Sequence, residues 1–168
     1  MGLKETVLEH LRHADDAALE ELMSSHPGAL RHTFGRLWDT DPMLRRRAAV
    51  ATGMGAAAHP AKGRELIRQA MWALNDESAT NGVFVIPALG EIGVRAPELM
   101  APFVQPMGSY LWDHGLRQAL LRALDRIARA APELAGPIRE VVEESMNNEG
   151  LVPAKVSGTP DGDEGADV

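Results

Sequence analysis

The triplet Leu37-Trp38-Asp39 returns as Leu74-Asn75-Asp76 and again as Leu111-Trp112-Asp113, at an interval of 37 residues. Leu30, Ile67 and Val104 keep the same interval upstream, and Gly53 with Gly90 keep it downstream, as do His59-Pro60 with Ala96-Pro97. The third unit is shorter by two residues between its turn and its second helix. Past that slip, Ala88-Leu89 corresponds to Ala123-Leu124, and Ala96-Pro97-Glu98-Leu99 recurs unchanged as Ala131-Pro132-Glu133-Leu134. A period in this range marks a chain built by stacking small units, none of which can bury its own apolar face alone.

Each unit reads as helix, turn, helix. Aromatic residues make up only 4% of the chain, and its apolar content is mostly Ala and Leu. These are strong helix formers, whereas sheets favour β-branched and aromatic side chains, so the expected class is all-α. From Pro27 to Trp38 the apolar residues Leu30, Phe34, Leu37 and Trp38 follow the spacing of an amphipathic helix. Asp41 then reads as an N-cap with Pro42 at the first helical position, opening a second helix to Ala58. Gly53 and Gly55 inside that helix point to a close approach by a neighbour. The second unit pairs Ala61–Leu74 with Val83–Val94, where Pro87 is tolerable in a first turn. The third pairs Pro97–Leu111 with His114–Ala130, and Pro102 and Pro106 must kink or shorten its first helix.

Leu3–Ala14 and Asp16–Ser24 are expected to cap the stack at one end and Pro132–Met146 at the other. This divides the chain into a helical domain over 1–149 and a tail. Within the domain, 1–26 is the N-terminal cap, 27–60, 61–96 and 97–131 are the repeats, and 132–149 is the C-terminal cap helix. The segment 150–168 carries Asp161, Asp163, Glu164 and Asp167 against Lys155 alone, and its Gly- and Ser-rich composition reads as a disordered acidic tail.

Several function classes fall away at this level. The chain has no cysteine, which removes disulfides, thiol catalysis and cysteine-held metals. It also fits a reducing cytoplasm. The first residues lack the apolar core of a signal peptide, and no apolar run is long enough to span a membrane. The net charge is −7, of which the tail supplies −3 and the remainder −4. A mildly acidic body argues against non-specific nucleic-acid binding.

Asp41-Pro42-Met43-Leu44-Arg45-Arg46-Arg47-Ala48-Ala49-Val50-Ala51 resembles the second helix of the HEAT repeat family, which includes phycobilisome-lyase-like bacterial proteins. Ala88-Leu89-Gly90-Glu91-Ile92-Gly93 looks like the later half of the same helix in the next unit. The similarity covers roughly residues 27–135. It implies a short right-handed α-α superhelix, a solenoid of HEAT-like hairpins whose second helices line the concave face. It also implies that Arg45 bonds across the inter-repeat turn. Such solenoids serve mainly as binding scaffolds.

The candidate functional residues are accordingly those of a partner-binding surface. Arg45, Arg46 and Arg47 open one second helix, while Arg117, Arg122, Arg126 and Arg129 lie along another. Together they could present a basic strip to an acidic peptide or a phosphate backbone. Against this stands a solvated helix face, with Arg122 paired locally to Asp125. The longest inter-helix loop adds Asp76, Glu77, Ser78 and Asn81 as a specific contact site.

No catalytic motif, phosphate loop or dinucleotide fingerprint is present, so no enzymatic activity and no cofactor are expected. Some HEAT-like proteins are DNA glycosylases. Such an activity would use Trp38, Trp72 or Trp112 in a basic groove, but Trp38 and Trp112 stand at equivalent positions, which predicts core packing. A lyase, or a maturation factor for a metalloenzyme, is compatible with the same architecture. Glu9, His10 and His13 could approach a metal but lack a further ligand. Asp39, Asp76 and Asp113 read as caps of successive helices rather than as acid–base pairs. The primary expectation is a cytoplasmic, non-catalytic scaffold for another protein.

Overall fold

Four X-Pro steps divide the chain, because the residue before a proline is held out of the α region. The computed structural model describes residues 1–75 and 82–148. In it His26, His59, Ala96 and Ala131 each precede a proline and take nearly the same conformation, with φ/ψ of −128/90, −129/75, −137/69 and −127/87. Each still donates its N–H to the carbonyl four residues back, closing the preceding helix. The step at His26-Pro27 was not legible from the 37-residue spacing, and it gives the N-terminal helix pair the same exit as the others.

Helix is the one kind of regular secondary structure among the described residues. The elements are α1 (Leu3–His13), α2 (Asp16–Ser25), α3 (Ala29–Gly35), α4 (Pro42–Ala58), α5 (Pro60–Leu74) and α6 (Ile86–Arg95). They continue with α7 (Pro97–Met100), α8 (Val104–Gly108), α9 (His114–Ala130) and α10 (Pro132–Asn148). Short 3₁₀ turns follow α3 at Arg36–Trp38 and α7 at Ala101–Phe103. The latter turn carries Pro102, which breaks the helix expected over 97–111 into α7 and α8. Pro87 sits in the first turn of α6, and this moves the start of that helix to Ile86.

Helices α2, α4, α6 and α9 form a row in chain order, each packed on the next. The remaining helices pack along that row. Leu30, Ile67 and Val104 are buried, and so are Leu37, Leu74 and Leu111, all within one continuous core that runs from Val7 to Ile138. The second half of α4 is buried on nearly every side, because α2, α3, α5 and α6 all surround it. Small residues make that enclosure possible. A Cβ on Gly53 would fall 2.8 Å from Glu91 Cβ and 2.9 Å from its carbonyl carbon and oxygen, so α4 and α6 touch backbone to backbone there. The polar groups left inside pair with each other: Thr52 Oγ1 donates to Thr33 Oγ1 at 3.2 Å, and Thr33 Oγ1 donates to the Leu30 carbonyl at 2.9 Å.

Candidate functional site

Consecutive residues on a helix point about 100° apart, and Arg45, Arg46 and Arg47 on α4 take three different fates. Arg45 reaches back over its own turn, donating to the Asp39 carbonyl at 2.7 Å and the Thr40 carbonyl at 3.4 Å. Its guanidinium also lies over the Phe84 ring, 4.9 Å from the centroid. Arg47 turns the other way, to the end of α1. There it donates to the Leu11 carbonyl at 2.8 Å and to the carbonyls of Ala14 and His10, with Asp16 3.4 Å away. The His10 carbonyl already accepts from the Ala14 N–H at 3.0 Å, so Arg47 mainly serves the Leu11 and Ala14 carbonyls at the end of α1. Arg46 projects outward between them. Its guanidinium has no hydrogen-bond or ion-pair partner among the described residues.

The arginines of α9 divide in the same way. Asp113 caps α9 by accepting from Gly115 N at 2.8 Å, as Asp41 caps α4 by accepting from Met43 N at 2.8 Å. Four residues after each cap stands an arginine tied to the turn. Arg117 Nε donates to the Leu111 carbonyl at 2.6 Å, matching Arg45. The bond expected of Arg45 across the turn between repeats is not the one that forms: Arg45 bonds across the turn within its own unit, 27–60, and Arg117 repeats this within 97–131. The local pairing of Arg122 with Asp125 does not form. That carboxylate is held by Arg129 at 3.0 Å, which leaves the Arg122 guanidinium without a partner among the described residues. Arg126 forms an ion pair with Glu91, whose side chain is buried on α6.

These side chains share a groove of about 660 Å³ across α4, α6 and α9. Each helix offers one stripe at i, i+3, i+4, i+7 spacing: Pro42, Arg45, Arg46 and Ala49 from α4, and Ala119, Arg122, Ala123 and Arg126 from α9. Between them lie Val83, Phe84, Pro87, Gly90 and Glu91. A Cβ on Gly90 would come within 3.3 Å of Ala123 Cβ, so α6 and α9 also approach closely. Among the described lining residues, four guanidiniums against one carboxylate give a charge of +3. The described residues hold 16 Lys and Arg against 17 Asp and Glu, a net −1, so those outside the groove carry −4.

Of the sequence candidates, Arg45, Arg46 and Arg122 meet in this groove, while Arg117 is engaged at the turn. Asp76, Glu77, Ser78 and Asn81 lie outside the described residues. Phe84 and Glu91 were not singled out from the sequence. Glu91 carried a signal, as the one charge in the apolar stretch Ala88–Val94.

Two expectations are corrected. The tryptophans are not core residues: Trp38, Trp72 and Trp112 are 36%, 79% and 64% exposed. Leu37 and Leu111 take the inward positions, and each following tryptophan is rotated away from the core, Trp38 resting edge-on against Phe34. Asp39 does not cap a helix as Asp113 does. It accepts from Asp41 N at 3.0 Å and pairs with Arg36 at 3.1 Å. The Asp41 N–H, and after it Arg36, hold the Asp39 carboxyl below its ordinary range, while burial opposes the shift. The two extra residues in that turn pass the capping role to Asp41.

Among the described residues no group of three or more His, Asp or Glu side chains is placed to hold a metal ion, and no helix is long and apolar enough to cross a membrane. No protein-family model matches the chain, and neither does any curated protein or solved structure.

Proposed function

We propose that the chain is a non-catalytic interaction scaffold acting in the cytoplasm. In this reading it is a short right-handed stack of HEAT-like hairpins that holds another protein on its concave face. The observation that carries this is the convergence of Arg45, Arg46 and Arg122 on one groove, with two of the three guanidiniums uncommitted among the described residues. The row α2–α4–α6–α9 and the shared X-Pro joints support the stacked architecture. Arg46 and Arg122 are exposed, and arginines beside apolar surface that become desolvated on binding are typical anchors of protein interfaces. The carboxylate in the groove, Glu91, is already neutralised by Arg126, which favours binding over acid–base chemistry there.

The test is retention of a partner from native lysate on immobilised full-length protein, compared with the double variant Arg46→Glu/Arg122→Glu. The expected result is a partner held by the wild type and lost by the variant. Equal retention by both would remove the groove from the function.

A further inference from the structure

The groove's charge and span specify the partner's chemistry more closely than the scaffold reading does. Arg46 and Arg122 stand on α4 and α9, which pack on α6 rather than chiefly on each other. Neighbouring packed helices lie about 8–10 Å apart, so the two walls are about 16–20 Å apart at their axes. Arginine stems reaching inward shorten that gap. An extended chain covers about 3.3–3.6 Å per residue, so acidic groups about three to five residues apart would meet the two guanidiniums together. The surface between is apolar, formed by Val83, Phe84 and Pro87. Phe84 lies half-buried beneath the Arg45 guanidinium.

We propose that this groove binds a short acidic peptide segment of a partner protein. Two carboxylates of the segment engage Arg46 and Arg122, and an apolar side chain between them rests on Val83 and Phe84. The inference rests on the reading of the groove as the partner-binding face.

Charge complementarity favours a peptide over a nucleic acid. Among the described residues the groove carries +3 and the remainder −4, so the groove is a local exception. A phosphate backbone places a charge about every 3.4 Å along each strand, and its extension beyond the groove would run against that acidic surface. A peptide can confine its negative charge to the few residues inside. Arginine also suits carboxylates geometrically, through paired N–H donors.

The experiment is selection of a random peptide phage library on the full-length protein, with the enriched sequence then synthesised and its affinity read by fluorescence anisotropy. Enriched peptides are expected to carry acidic residues about three to five positions apart around an apolar residue. Raising the salt should weaken the synthetic peptide by about tenfold. Arg46→Gln/Arg122→Gln, which keeps most of the side-chain stem, should lose the enrichment while its thermal unfolding matches the wild type. Enrichment of neutral or basic sequences, no enrichment, or unchanged selection by the glutamine variant would each overturn the proposal. So would displacement of the peptide by an equally charged single-stranded DNA at lower concentration, which would assign the groove to nucleic acid. If acidic peptides fail while the lysate partner still depends on Arg46 and Arg122, the scaffold reading stands and this one falls. If acidic peptides bind but no lysate partner is retained, the reverse holds.

Discussion

The hairpin turns and the groove use the same residue type for opposite ends. At the turns, Arg45, Arg47 and Arg117 direct their donors to backbone carbonyls. In the groove, Arg46 and Arg122 meet no acceptor among the described residues. The difference lies in what stands opposite each side chain. A helix end or turn offers orphan carbonyls that a guanidinium satisfies without further burial. Around Arg46 and Arg122 the groove walls are largely alanine, valine and proline, and the carboxylate among the described lining residues, Glu91, is taken by Arg126. Arginine that completes the backbone stabilises the fold, and arginine left over is available to a ligand.

Arg47→Ala should show the strongest effect, a loss of about 2–4 kcal/mol in urea unfolding, because several terminal carbonyls of α1 lose a charged donor at once. A loss no larger than that of Arg46→Ala would erase the distinction between the turn arginines and the groove arginines. Gly53→Ala comes next, at about 1–3 kcal/mol, since the new Cβ meets the backbone of Glu91 and must push α6 away from α4. It should also weaken partner retention by misplacing the groove walls, which the same lysate assay would read.

Arg45→Ala and Arg117→Ala should each cost about 1 kcal/mol, with similar values because the two arginines make equivalent bonds across their turns. A large inequality would separate the two turns energetically. The Asp39 carboxyl sharpens the picture at low pH. Its folded-state pKa is lowered, so its contribution is fully present above the unfolded value and is lost as pH falls through the folded one. Asp39→Asn should therefore flatten part of the acid limb of a stability-versus-pH curve below about pH 4, where free Asp titrates. An unchanged slope would show that the turn contacts do not bias its protonation. Smallest of all is Arg46→Ala or Arg122→Ala, within about 0.5 kcal/mol of wild type by the same urea measurement.

Much of the helical layout was legible in the sequence, for local reasons. Asp41-Pro42 is a cap followed by a first-turn proline, and the X-Pro steps stop helices through a steric clash within neighbouring residues. Pro102 breaks its helix where expected, and Pro106 falls in the first turn of α8. The close approach at Gly53 could be read because glycine in a helix interior is unfavourable without a packing reason. The site was legible only in part. Arg45, Arg46 and Arg122 stood out by type and clustering, but the sequence also held Arg117 as a candidate, and its engagement with the Leu111 carbonyl depends on how the turn folds back.

The tryptophans mark the boundary between the two kinds of knowledge. Their periodic placement implied burial, yet a period fixes only that positions are equivalent, not that they face inward. Leu37 and Leu111 occupied the inward positions, and the adjacent tryptophans were left exposed. By itself, then, the sequence determined the all-helical class, several helix ends such as Asp41-Pro42, and the close approach at Gly53, because these follow from dihedral limits and side-chain size within a few residues. Only the tertiary structure decided which of three consecutive arginines would face the groove without an acceptor among the described residues. That depends on whether a carbonyl from a distant helix end or an apolar wall stands opposite, and no local rule carries that information.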